Sequence, residues 1–198
     1  MINVQQLYGN VRSWLWEFFA TEANSDQDIV DYINRAIAYV CSQRDWQFLD
    51  KMQTISYATP YSNQSIQEVV SIVSVYKVGA TDEIPVYDLR TWRQSGDDGV
   101  LIYWSTFQAK VAGTFEIVYQ WTAPIVAKDS LLDFPSHIES VLYQVAIYFW
   151  LLNNQKMEDA DQILALANEM MRGFANRHTS TNVTKKTGVI QMGSGHSF

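Results

Sequence analysis

The sequence predicts an α+β fold: a four-helix bundle with an antiparallel β insertion between its second and third helices, and an extended C-terminal tail. Three observations carry this expectation. Toward both ends of the chain apolar residues recur at spacings of three and four, as on amphipathic helices. Between residues 51 and 122 the period falls toward two, as on half-buried strands. The last 21 residues, "HTSTNVTKKTGVIQMGSGHSF", show neither period and hold three glycines and two lysines but no acid. The expected division is a helical bundle from 1–50 and 123–177, a β-rich insertion at 51–122 and an extended arm at 178–198.

Each element has a local reason. Val4, Leu7, Val11, Leu15 and Phe18 form the apolar stripe of a first helix over 3–20. Asn24 or Ser25 caps the second, and Asp28 three residues after Ser25 completes a capping-box pattern. Ile29, Ile33, Ile37 and Val40 follow as its stripe. The runs "TISYA", "VVSIVSVYKVG", "IPVYD", "VLIYWST" and "TFEIVYQW" read as strands, and "DLRTWRQSG" as a short helix between two of them. No connection looks long enough for a crossover helix, so the sheet is expected to be antiparallel, with Asp97-Asp98-Gly99 as a hairpin turn.

After a linker at 124–134, Pro135 opens a third helix. Ile138, Val141, Leu142, Val145, Phe149 and Leu152 make one face of it; Tyr143, Ile147, Tyr148, Trp150 and Leu151 cover much of the rest. A helix apolar all round needs cover on every side. Either the other helices wrap it or a second subunit does. Asn153 and Asn154 end it. The fourth helix places Glu158, Asp159 and Asp161 in its first turn, at the positive end of the helix dipole. Ala160, Ile163, Leu164, Ala167, Met170, Met171 and Phe174 form its stripe.

Composition excludes several classes. An apolar share of 47% against 18% charged residues is that of a globular chain, and 198 residues allow one core, or one core with an appendage. Seven Trp and eleven Tyr suit either an aromatic core or an association surface. The net charge is −7, and because the arm contributes two lysines, residues 1–177 carry −9, which argues against a duplex-DNA-binding surface. Cys41 stands alone, so no intrachain disulfide and no thiolate metal cluster is expected within one subunit. No run of about 18 apolar residues predicts a membrane span. The start "MINVQQLYGNVRSWLWEFF" lacks the basic opening and cleavage site of a signal peptide, so synthesis in the cytoplasm is expected.

No catalytic constellation is legible. His137 and Glu139 imitate an HxE zinc motif without its cysteine pair. The acids at 26, 28 and 31 and at 158, 159 and 161 occupy helix first turns, where they need no metal to explain them. Gly193 and Gly195 are closely spaced but do not make a phosphate loop between strand and helix. The reading is a non-enzyme with no cofactor and no metal.

"DIVDYINRAIAYVCSQRDWQFL", "FEIVYQWTAP" and "LLDFPSHIESVLYQVAIYFWLL" resemble, in this order, the landmarks of head-to-tail adaptor (connector, tail tubular or tail accessory) proteins of tailed bacteriophages. The resemblance covers roughly residues 25–175. It implies a structural virion protein, not an enzyme: a ring, commonly dodecameric, at the capsid–tail junction, carrying genomic DNA through its lumen. The implied partners are further copies of the chain, the portal protein, and a tail nozzle or next tail ring. In such adaptors the C-terminal segment docks on the portal, which answers what holds a segment too polar to offset its own ordering entropy. The arm's candidate anchors are Val183, Val189, Ile190, Met192 and Phe198, with Lys185 and Lys186 for an acidic surface, and "TGVIQM" suits strand addition to a partner's sheet edge. Trp92, Trp104, Trp121, Tyr148 and Trp150 are candidate subunit or nozzle contacts.

Two alternatives use the aromatic β region instead. Trp92, Tyr103, Trp104, Tyr119 and Trp121 would serve a carbohydrate- or peptide-binding module, or stack the bases of a single-stranded nucleic acid. The acidic body speaks against the second.

Overall fold

The first helix starts where Asn3 turns its side chain back on the chain, accepting from the amides of Gln5 at 2.9 Å and Gln6 at 3.4 Å. The computed structural model describes residues 1–19, 25–66, 69–103 and 106–178. The described chain divides into two units. One is built from Met1–Leu49 and the residues from Ala123 to the end of the last helix, the other from Asp50–Thr122.

The first unit holds α1 (Val4–Phe19), α2 (Asp26–Ser42), α4 (Glu139–Asn153) and α5 (Met157–His178), while α3 (Leu89–Gln94) belongs to the second. A two-stranded antiparallel ribbon, β1 (Ile2–Asn3) with β9 (Leu131–Leu132), joins the start of α1 to the approach to α4. α2 opens with the expected capping box: Ser25 Oγ accepts from the Asp28 amide at 3.1 Å, and Asp28 Oδ2 accepts from the Ser25 amide at 2.9 Å. Its far end is closed by Trp46, whose Nε1 donates to the Val40 carbonyl at 2.7 Å. Phe48 stacks on Trp46 at 5.4 Å and meets Phe134 at 4.5 Å, so the "RDWQFL" segment is a core-forming turn.

The class is α+β as expected, but the four-helix bundle is a misreading. Among the described residues there are five helices and nine strands in three sheets. Nor are the four long helices equal members. α4 is the hub, packing against α1, α2 and α5. Its Val141, Leu142, Val145, Ala146, Ile147, Trp150 and Leu151 are all buried. A helix apolar around its whole circumference must be enclosed by its neighbours, whereas bundle members need only turn one stripe inward. Much of its cover therefore comes from its own chain.

Gly9 sits inside α1 with negative φ, and a methyl group there would meet no described atom within 4 Å. Gly9→Ala is therefore expected to raise the stability of the helical unit by about 0.5–1 kcal/mol, read as a higher urea midpoint of the helical circular-dichroism signal.

In the second unit, β2 (Asp50–Tyr57), β8 (Gly113–Trp121) and β4 (Val69–Lys77) form a three-stranded antiparallel sheet in the order β2-β8-β4. A four-stranded sheet runs β3 (Gln64–Ser65), β7 (Thr106–Ala109), β6 (Val100–Tyr103), β5 (Val86–Tyr87). The core holds Ile55, Tyr57, Val75, Phe107, Phe115 and Ile117, among others. The rings of Tyr57, Phe107 and Phe115 lie 5.4–6.0 Å apart, and the Tyr57 hydroxyl donates to the Phe107 carbonyl.

The expectation of a purely antiparallel insertion fails at one pair. β5 and β6 run parallel. The connection that had looked too short, residues 88–99, provides the roughly dozen residues a crossover needs, with α3 inside it. Asp97-Asp98-Gly99 is accordingly the end of that crossover and not a hairpin turn. A Cβ at Gly99 would fall 2.2 Å from the Tyr87 ring, so close approach selects glycine here. The run "VLIYWST" is not one strand either: β6 ends at Tyr103 and β7 begins at Thr106.

Candidate functional site

Among the described residues no group of three or more His, Cys, Asp or Glu is placed to hold a metal ion. His137 lies against the Phe174 ring at 4.9 Å. Burial pushes the Cys41 thiol up to about 12, so it stays protonated and unreactive near neutrality. No described helix is long and apolar enough to cross a membrane. What the fold does present is surface.

A charged cluster joins α1, α2 and the linker after Ala123. Asp26, at the start of α2, accepts from the Tyr8 hydroxyl and from Lys128 Nζ at 2.9 Å, with Arg12 Nη1 at 3.8 Å. Lys128 Nζ also lies 4.0 Å from the Tyr8 ring centroid. The Tyr8 hydrogen bond, then that of Lys128, holds the Asp26 carboxyl below its usual range. The reciprocal bond keeps the Lys128 ammonium protonated above its ordinary value. About two turns on, Asn34 clamps the linker by both edges: Nδ2 donates to the Val126 carbonyl at 3.0 Å and Oδ1 accepts from its amide at 2.8 Å. Between helix and linker lies a shallow cleft of about 310 Å³, and at its rim Ile125 is 90% exposed.

Three carboxylates at helix N-terminal ends, Asp26, Asp28 and Asp88, are all held below their ordinary value of 3.8. For Asp28 the main cause is the Ser25 side-chain hydrogen bond, and for Asp88 the backbone bond from Thr91. A folded-state pKa below the unfolded one stabilises above the unfolded value and stops doing so as pH falls through the depressed value. The urea midpoint is therefore expected to hold from pH 7 to about pH 4 and to drop below it, and Asp26→Asn should flatten that drop.

A second feature surrounds α3. Lys110 Nζ lies 5.6 Å from the Trp92 ring and 5.8 Å from that of Tyr87, and donates to the Ser95 carbonyl at 2.6 Å. Tyr61, at φ +62°, meets Trp92 edge-on at 5.6 Å. This cation between two rings pins the crossover to the sheet.

The expected contact residues fare unequally. Trp92 and Trp121 are half-buried, with Lys51 Nζ 5.2 Å from the Trp121 ring. Tyr103 is 55% exposed, while Tyr119 packs on the β core. Tyr148 is half-buried against Phe149. Trp150 is a correction: it is fully buried, in contact with Phe19 at 4.6 Å, and has no surface to offer a partner. Trp104 lies outside the described residues, as do Val183, Lys185, Lys186, Val189, Ile190, Met192 and Phe198. Sequence reasoning also misplaced Phe18, assigned to the core stripe of α1 but 58% exposed; Phe19 turns inward instead. Trp16, 72% exposed, was not singled out at all. With Phe18 it leaves two large rings open at the end of α1, a surface of the kind that partners cover.

No curated protein matches this chain. The family model of the SU10 adaptor protein matches residues 2–188, nearly the whole chain and across both units. In agreement with the phage-adaptor resemblance of residues 25–175, the chain belongs to the SU10 adaptor protein family.

Proposed function

We propose that this protein is a non-enzymatic structural component of the virion, assembled as a ring, commonly of twelve copies, between the capsid portal and the tail. The family match over residues 2–188 carries this reading. In the ring, the acidic body lines a channel from which like charge keeps the passing genomic DNA from adhering. The exposed rings of Trp16 and Phe18 provide apolar surface for a neighbour or for the next tail ring. The C-terminal arm docks on the portal. Even with modest affinity per copy, repetition around a ring makes the whole attachment hard to reverse.

The test is the mass in solution of the full-length chain and of a chain ending at His178, the last residue of α5, each alone and with the cognate portal. The reading expects only the full-length chain to join the portal as a high-order ring. A full-length chain that stays monomeric with portal present overturns it.

A further inference from the structure

The sheets end in edges of very different kinds. β1 and β9 are two residues long, and so are β3 and β5, the outer strands of the four-stranded sheet. β4 is nine residues long, but its register against β8 shifts twice, between Val69 and Ser71 and between Ile72 and Ser74. Shortness and bulging are two ways in which sheets blunt an edge against foreign strands. β2 uses neither. It runs against β8 in unbroken register from Asp50 to Tyr57, without proline or glycine. From Met52 to Tyr57 it pairs with no other described strand. An edge of this kind turns alternate backbone N–H and C=O groups outward and is a template for one more strand.

The edge also states what it would accept. On its core side Gln53 is half-buried and Ile55 and Tyr57 are buried, while Met52, Thr54 and Ser56 on the other side are exposed. A fitting strand is uncharged and alternates, apolar toward the core and more polar outward. Of the chain outside the described residues, 20–24, 67–68 and 104–105 are too short to supply one; 179–198 is not. Within it, "TGVIQM" puts Ile190 and Met192 on one face and Thr187, Val189 and Gln191 on the other, with no charge. The intervening residues 179–186 can span about 25–30 Å when extended.

We propose that residues 187–192 of one subunit add as a strand to the Met52–Tyr57 edge of β2 in the neighbouring subunit. This rests on the ring reading above and deepens it. Donor segment and acceptor edge are different surfaces, so the contact is head-to-tail, the kind that closes into rings. Each subunit gives one strand and receives one. Main-chain hydrogen bonds supply the affinity and the alternating side chains the register. The arm is thereby divided: 187–192 clasps the neighbour, while 193–198, beyond Gly193 and ending in Phe198, remains for the portal.

The test pairs Thr54→Cys with Val189→Cys or Gln191→Cys in a full-length Cys41→Ala background, oxidised in solution. The expected product is a ladder of covalently joined subunits that closes at the ring. A bridged monomer overturns the proposal, because the arm then folds onto its own sheet. A dimer from Thr54→Cys alone also overturns it, because two β2 edges then pair with each other. Separately, Ile190→Pro removes a main-chain donor and is expected to weaken self-association at least about tenfold, while the outward-facing amides of 52–57 lose protection from hydrogen exchange. If the full-length ring joins the portal but those amides exchange equally fast with and without Ile190→Pro, the strand contact is wrong and the adaptor reading survives. If neither a ring nor portal binding is seen, both fall.

Discussion

Trp150→Ala is expected to lower the stability of the helical unit by about 3–5 kcal/mol, enough to leave much of it unfolded at 37 °C. Trp150 is the largest side chain that α4 buries, with no exposed surface. Its ring lies 4.6 Å from Phe19, and Lys156 Nζ closes over the pair at 4.0 Å from Phe19 and 5.7 Å from Trp150. Removing the indole loses its burial and leaves a cavity at the hub on which the other helices pack. Trp16→Ala is the matched control. With 72% of that residue exposed, its removal is expected to move monomer stability by less than about 0.5 kcal/mol. Urea unfolding followed by helical circular dichroism compares the two. Equal midpoints would mean that α4 is not the hub.

Asn34→Ala is expected to cost about 2–4 kcal/mol, although it removes only a small polar side chain. Both backbone groups of Val126 depend on it, at 2.8 and 3.0 Å, and Val126 is only 7% exposed. Truncation would strand a donor and an acceptor in a part-buried site, and each orphan costs about 1–3 kcal/mol when fully buried. The linker should then loosen, and with it the hold of Lys128 on Asp26. Native-state hydrogen exchange at Val126 is the sensitive readout: its amide should lose protection in Asn34→Ala. Unchanged exchange there would show that the clamp carries no stability.

What the sequence determined by itself is what depends on neighbours along the chain. The capping box of Ser25 and Asp28 involves residues three apart, and the short helix at "DLRTWRQ" rests on Asp88 accepting from Arg90 and Thr91. The α+β class followed from periodicity, and the adaptor relationship from landmarks such as "RDWQFL". What only the tertiary structure decided depends on residues far apart in the chain. Phe18 and Phe19 are chemically identical neighbours, and the choice between them was made by Trp150, more than a hundred positions away. The same packing turned Trp150 from a candidate contact into core, and the all-round apolar character of α4 turned an expected bundle into a hub. Asn34 and Val126 find each other across a span of 92 residues, for which sequence spacing offers no signal. Parallel pairing of β5 with β6, and the place of β2 at the end of its sheet, are likewise properties of strand order. Strand order is set by which apolar faces can be buried together, not by any single run of residues.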